Sequence, residues 1–254
     1  KSSPSITGRK KTRPLPGVDR IVIADIDNTL TGNDDAMREF FDLLENTDTD
    51  VGFGIATGRR FEEVMRLMDE HHMPQPEVLI TSVGTEMYYG KNLTPDASWR
   101  KHIDFRWEPE KVREALDAIP GLYPQEEHEQ STYKISYGID FKKSPNVAAI
   151  RRILRENGIR VKVIVSLGMF LDIIPARAGS GLCIRHMAYK WGFPLEHVVV
   201  GNYSKELDKL RKYPRIYFAD SHNAAGIAEG MEYYSFLGDI TIPNDRNLES
   251  VASE

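Results

Sequence analysis

Cysteine is almost absent from this chain. The one cysteine, Cys183, excludes an intrachain disulfide framework and fits a reducing compartment, so a cytoplasmic location is expected. No apolar run approaches the length of a membrane-spanning helix, and no basic start leads into an apolar signal core. Positive charge is not in excess. The formal net charge of −5 argues against a nucleic-acid partner and gives no sign of a membrane partner. Internal repeats are missing too. What is present is a globular composition, 41% hydrophobic and 28% charged, over 254 residues. That length suffices for one large core with a smaller insert.

Residues 1–19 are rich in Ser, Pro, Gly and Lys/Arg and read as a linker. Residues 244–254 are polar and read as a loose tail. Between them, short apolar runs at Ile21–Ala24, Val51–Ala56, Val78–Thr81, Val198–Val200 and Ile216–Ala219 predict parallel strands buried on both faces. Amphipathic helices are predicted between them, from Met37, Phe40, Phe41 and Leu44, from Phe61, Val64, Met65 and Met68, and from Ile184, Met187, Ala188 and Trp191. Strand–helix alternation predicts a doubly wound α/β core over 20–98 and 169–243. The stretch between them, 99–168, reads as an α/β insert. Glu108–Ile119 is a helix candidate, Thr132–Phe141 an extended run, and Ser144-Pro145 opens a helix that Gly158 stops. Extended chain returns over Arg160–Ile174, broken at Ser166–Gly168.

IADIDNTL, residues 23–30, carries the strongest chemical signal. An apolar strand delivers Asp25 and Asp27 at its carboxyl end, where ligands of such folds bind. Two close carboxylates repel, and a cation relieves this; oxygen ligands favour Mg²⁺. A strand end with a simple Asp27-Asn28 turn is the plainer alternative. In IATGRR, residues 55–60, Thr57 ends a second strand and opens a helix, where its hydroxyl and the following amides suit a phosphate oxygen.

DIDNTL and ATGRR, in this order, resemble the nucleophile and phosphate motifs of the haloacid dehalogenase (HAD) superfamily. LITSVGTEMYY (79–89), YKISYGID (133–140) and LDIIPARAGSGLCIRHMAYKWGFPLEHV (171–198) narrow the resemblance. They are similar to sucrose-6-phosphate phosphatases, and more so to the phosphatase-like C-terminal domain of bacterial sucrose-phosphate synthases. The resemblance implies a HAD-like core with an inserted cap. It makes Asp25 the nucleophile, Asp27 the general acid and base, and Thr57, Gly58 and Ser180 the phosphate contacts. Mg²⁺ would be held through Asp25 and Asp27. Gln125, Glu126, Lys134 and Ser136 would face a sugar, although a solvated sheet face is the plainer reading of each. Tyr133, Tyr137 and Trp107 read as packing rather than sugar platforms. The implied partners are sucrose 6-phosphate or a similar sugar phosphate, an upstream glycosyltransferase domain and a separate sucrose phosphatase.

The chain departs from that family twice. The family's helix-start lysine is matched here by Ser180, a neutral hydroxyl that cannot supply a cation's Coulomb attraction. Arg177 is a candidate substitute. The second departure follows Val198. There the family continues into an acidic GDSGND-type loop, a helix and another strand. Here HVVVGNYSKELD (197–208) resembles the later segment, as though two strands were merged into one. The rival alignment sets GNYSKE on the acidic loop, with Asn202 replacing its first Asp and Glu206 at its last position. Two functions follow: a sugar-phosphate-binding domain of a synthase with little or no turnover, or an active Mg²⁺-dependent phosphatase.

Overall fold

Aliphatic runs with every residue buried become inner strands, and the amphipathic stretches between them become helices. The computed structural model describes residues 18–47, 50–193, 198–200 and 223–238. In chain order its elements are β1 (Arg20–Ala24), α1 (Asp34–Glu45), β2 (Val51–Ala56), α2 (Phe61–Glu70), β3 (Val78–Thr81), β4 (Glu86–Tyr89), β5 (Thr94–Pro95), α3 (Ala97–Ile103) and α4 (Pro109–Leu116). There follow β6 (Leu122–Pro124), β7 (Ile135–Ile139), α5 (Val147–Glu156), β8 (Val161–Ser166), β9 (Phe170–Pro175), α6 (Ser180–Trp191), β10 (Val198–Val200) and α7 (Asn223–Tyr233). The expected linker at 1–19, the strand at Ile216–Ala219, Asn202, Glu206 and the 244–254 tail lie outside the described residues, apart from Val18 and Asp19. The chain divides into two units. One comprises the described parts of 1–24, 28–53 and 185–254; the other comprises 25–27 and 54–184.

In the first unit β1 pairs in parallel with β10, Ile21 opposite Val198 and Ile23 opposite Val200. Val198–Val200 therefore covers one edge of β1, which would otherwise present unpaired backbone groups. Helix α1 starts at Asn33, whose Oδ1 accepts the Ala36 N–H at 3.1 Å. Its apolar stripe sets Phe40 and Phe41 against Phe53, with ring centroids 6.2 and 5.1 Å from it, and α1 packs against α7. Phe236, after α7, is buried whereas Tyr233 is exposed. The Arg20 guanidinium holds this segment by donating to the carbonyls of Phe236 and Gly238.

In the second unit the end of β2 pairs in parallel with β3, which pairs antiparallel with β4, and β4 with β5. A separate antiparallel sheet has the order β6-β7-β9-β8. Alternation along its strands gives it two faces. Ile135, Tyr137, Leu171, Ile173 and Val163 pack with Val112 and Leu116 of α4 and Ile150 and Leu154 of α5. The other face carries Ser136, Asp172 and Ile164 in one cross-strand row, beside Ile174 and Lys162. The insert's sheet runs beyond the expected boundary at 168. Strand β9 is hydrogen-bonded on both sides, by β7 and β8, so Phe170–Pro175 belongs to the insert rather than to the core.

Within the helices, Val64 and Met68 are buried as expected, but Met65 is exposed. The buried stripe of α2 is narrower than its apolar pattern.

Candidate functional site

Leaving β1 at Asp25, the chain enters a wide helical turn at Ile26–Leu30, with Asn28 in the left-handed region at φ 53°. Wide single turns of this kind recur at functional sites. Ile26 and Leu30 are fully buried and anchor the turn. The Ile26 N–H donates to Asp25 Oδ1 at 2.8 Å, which fixes that carboxylate at the end of the strand.

Asp27 is gripped by Arg59. Arg59 Nε donates to both carboxylate oxygens at 3.1 and 2.9 Å, and Nη2 donates to Oδ1 at 2.8 Å. This is the fork-on-carboxylate geometry that makes arginine the strongest partner for an acid. The bond to Asp27, outweighing the burial that opposes it, holds the guanidinium above its ordinary pKa.

Thr57 follows β2 and is 2% exposed. Its N–H donates to the Ile80 carbonyl at 2.9 Å, its carbonyl accepts from Val83 N at 3.3 Å, and its Oγ1 accepts the Arg59 N–H at 3.3 Å. The next residue, Gly58, is exposed, and a Cβ placed on it would meet nothing within 4 Å. The turn therefore offers open space beside a fixed hydroxyl and its following amides, the elements of an anion cradle.

The turn at Ser82–Gly84 links Thr57 to the start of α6. Ser82 N donates to the Arg59 carbonyl at 2.7 Å, and the Gly84 carbonyl accepts from Gly179 N at 3.3 Å. Gly84 has φ +81°, and a Cβ there would lie 2.1 Å from Ser180 N. Only glycine lets these backbones approach so closely. Ser180 thus lies beside the turn that is hydrogen-bonded to Thr57.

The start of α6 carries no charge of its own. Arg177, the candidate substitute, lies over the Phe105 ring at 3.9 Å, a cation–π contact that engages its guanidinium there. The ammonium that reaches this turn is Lys162 of β8, whose Nζ donates to the Ala178 carbonyl at 2.5 Å. Burial holds Lys162 below its usual pKa. Cys183, buried in α6, has its thiol pushed well up by burial, which makes it an inert packing group.

On the insert's sheet, Lys134 is almost fully buried, with its Nζ 3.8 Å from Glu129 Oε2. The Ser136 hydroxyl donates to Asp172 Oδ1 at 2.5 Å. Gln125 serves the backbone: its N–H donates to the Ser136 carbonyl at 2.9 Å, and its carbonyl accepts from Gln130 Nε2 at 3.0 Å. Glu126 is exposed and pairs with His128 at 3.1 Å. It is therefore Glu129, three residues further on, that joins Lys134, since the short helical turn at Glu127–Glu129 brings Glu129 round. The tyrosine and tryptophan candidates are engaged in structure. Tyr137 donates to Asp117 at 2.7 Å, Tyr133 to Asp104 at 3.1 Å, and Trp107 to the Thr132 carbonyl at 2.7 Å.

The profile of the sucrose-6F-phosphate phosphohydrolase family matches residues 18–200 and 195–235. This chain belongs to that family. Sucrose-phosphatase 1 of Nicotiana tabacum is 28% identical over 89% of this chain. The chain spans 61% of the length of that relative. The crystal structure of the sucrose-phosphatase from Synechocystis sp. PCC6803 in complex with sucrose and phosphate superposes with a TM-score of 0.78 at 25% identity. It covers 87% of this chain and 100% of its own. Sucrose-phosphate synthase 4 of Arabidopsis thaliana is 24% identical over 59% of this chain and 15% of its own. The fold is accordingly HAD-like α/β.

The phosphohydrolase scaffold frames the remaining residues. Arg59, Arg60, Glu129, Asp172 and Lys162 escaped sequence reasoning, although signals for some existed. Arg59 stands within the ATGRR motif, and the alternation of β9 puts Asp172 on the face that Ser136 occupies. Among the described residues no group of three or more Asp, Glu, His or Cys gathers to hold a metal ion. Asp25 and Asp27 suit a Mg²⁺ shared with a phosphoryl group and waters, the way this ion is commonly held. They do not make a cage by themselves.

Proposed function

We propose that this chain is a sucrose-phosphatase-like domain of a sucrose-phosphate synthase that binds a sugar phosphate and turns it over slowly. The Asp27–Arg59 clamp carries this reading. A general acid must give up a proton to the leaving oxygen and later take one from water. Asp27 has both its carboxylate oxygens occupied by a guanidinium, which must let go first. Ser180 supports the same reading, since a neutral hydroxyl does not offset the charge of an incoming phosphoryl group as an ammonium does. The two family matches overlap at residues 195–200. Such an overlap fits a chain in which one strand answers to two in the family, with the acidic loop between them missing.

In this reading the phosphoryl oxygens rest on the Thr57 hydroxyl and the amides around Gly58. The Asp25 carboxylate faces phosphorus, and the sugar lies toward Lys134 and Ser136. Asp25 and Asp27 would hold Mg²⁺, whose charge would screen the repulsion between carboxylate and phosphoryl group. In the slow turnover, an Asp25 oxygen bonds to phosphorus as the phosphorus–sugar oxygen bond breaks. A proton from Asp27 goes to the leaving oxygen, and water then releases phosphate from Asp25. The domain would work in the cytoplasm, beside a glycosyltransferase domain and a separate phosphatase that removes the phosphate efficiently.

The second reading, an efficient phosphatase, is favoured by Asp25, Asp27, Thr57 and Ser180 keeping their family order. Phosphate release from sucrose 6-phosphate with Mg²⁺ decides between them. Slow or undetectable release, with the sugar phosphate still bound in a calorimetric titration, is expected. Turnover near the usual enzymatic rate of about 10 s⁻¹, abolished by Asp25→Asn, would overturn the proposal.

A further inference from the structure

The Lys162 ammonium stands at the start of α6 without a counter-charge. Its Nζ donates to the Ala178 carbonyl at 2.5 Å, and among the described residues no carboxylate comes within ion-pair reach of it. Burial shifts its pKa downward, and no acid opposes that shift. Asp172, on the same sheet face, accepts instead from Ser136. A half-buried cation held only by a carbonyl dipole has lost hydration that nothing of opposite charge makes good. An anion arriving from solvent would do so. The neighbouring guanidinium groups are engaged elsewhere, Arg59 by both oxygens of Asp27 and Arg177 by the Phe105 ring.

The backbone makes room for this ammonium and ties it to the phosphate cradle. Gly179 has φ +120°, a conformation that suits glycine, and a Cβ there would stand 3.2 Å from Lys162 Nζ. Gly181 is exposed, and a Cβ on it would meet nothing within 4 Å, so the first turn of α6 has open space beside Ser180. From Ala178, which holds the ammonium, the next residue donates to the Gly84 carbonyl at 3.3 Å, and Val83 donates to the Thr57 carbonyl at 3.3 Å. Three short links therefore join Lys162 to the Thr57 turn.

We infer that Lys162 is a phosphate-binding cation of this chain, reaching from β8 to the α6 turn that carries the neutral Ser180. The inference rests on the sugar-phosphate reading above and adds to it a binding residue from the edge strand of the insert's sheet. An ammonium has three N–H donors. One goes to the Ala178 carbonyl and holds the nitrogen in place, and a phosphoryl oxygen accepts another. The phosphate thus meets a positive charge although α6 itself supplies none.

Calorimetric titration of the full chain with inorganic phosphate and with sucrose 6-phosphate tests this. Lys162→Gln removes the charge but keeps an N–H for the Ala178 carbonyl. It should weaken both ligands about tenfold, the usual scale of one charged hydrogen bond, with little change in the urea midpoint. Lys162→Arg keeps the charge and should recover most of the loss. Adding Ser180→Lys to Lys162→Gln should also restore binding, by returning a cation to the same turn. Wild-type affinity in Lys162→Gln would make Lys162 a prop of the turn through its hydrogen bond alone. A loss confined to sucrose 6-phosphate would put the ammonium on the sugar, and a loss that neither Lys162→Arg nor Ser180→Lys relieves would make it structural. Each of these results overturns the inference while leaving the sugar-phosphate reading intact. Failure of the wild-type chain to bind either ligand overturns that reading, and the role of Lys162 with it.

Discussion

Two carboxylates, Asp27 and Glu129, are each approached by arginines from one short loop, yet they are held differently. Asp27 receives Arg59 at 2.8–3.1 Å through both its oxygens. Glu129 meets Arg60, His128 and Lys134 only at 3.4–3.8 Å. The first pair has satisfied itself and must be opened before it can do chemistry. The second group is held at longer range, and the buried Arg60 Nε has no hydrogen-bond partner. The contrast is between a closed pair after the first strand and a looser, more open group on the insert.

The change expected to disturb this contrast most is Ser180→Lys. Restoring a cation at the start of α6 should raise phosphate release from sucrose 6-phosphate about 100-fold, the scale of one well-placed transition-state donor, as read by initial rates with Mg²⁺. An unchanged rate would put the defect in the Asp27 clamp and in the proposed loss of the acidic loop. Next in size is Gly84→Ala, which breaks the closed side structurally. With φ +81° and a Cβ 2.1 Å from Ser180 N, backbone must move, and a loss of about 3 kcal/mol is expected, read from the urea midpoint. Ser136→Ala tests the open side. It leaves the Asp172 carboxylate, 7% exposed, without its hydroxyl donor, and should cost about 1–3 kcal/mol. A cost near zero would mean that solvent already serves Asp172.

The smallest expected effect is a pH dependence. Burial first, and then the hydrogen bond to Asp117, raise the Tyr137 phenol above its ordinary pKa. The unfolded chain would ionise this tyrosine near about pH 10. Its contribution is therefore fully present below about pH 10 and is lost as pH rises further. Denaturant midpoints should fall above that pH, and Tyr137→Phe should flatten the fall.

Much of this was legible in the residue order. The apolar runs at Val51–Ala56 and Val78–Thr81 became strands with those same ends, because strands buried on both faces are built of largely apolar residues. Glycine punctuation worked equally well in the insert, where Gly158 follows the end of α5 with φ 73°, but the helix opens at Asn146, whose side chain caps it, two residues after the expected Ser144-Pro145 start. The boundary of the insert was not legible, since Phe170–Pro175 is as apolar as a core strand and only its hydrogen-bond partners assign it. Glu129 was missed in favour of Glu126 because a short helical turn shifts which acid faces Lys134, and such turns leave little trace in a polar stretch.

Residue order alone was enough for the α/β architecture, the placing of Asp25 and Asp27 after the first strand, the Thr57 turn, and the neutral Ser180. These are local matters of apolar period and residue type. Which charges find each other was settled by the folded chain: Arg59 closes on Asp27, Arg177 lies on Phe105 instead of turning in, and Lys162 reaches the α6 turn from a distant strand. Pairing among long charged side chains depends on distances of a few ångströms between segments far apart in the chain, and no local pattern encodes those distances.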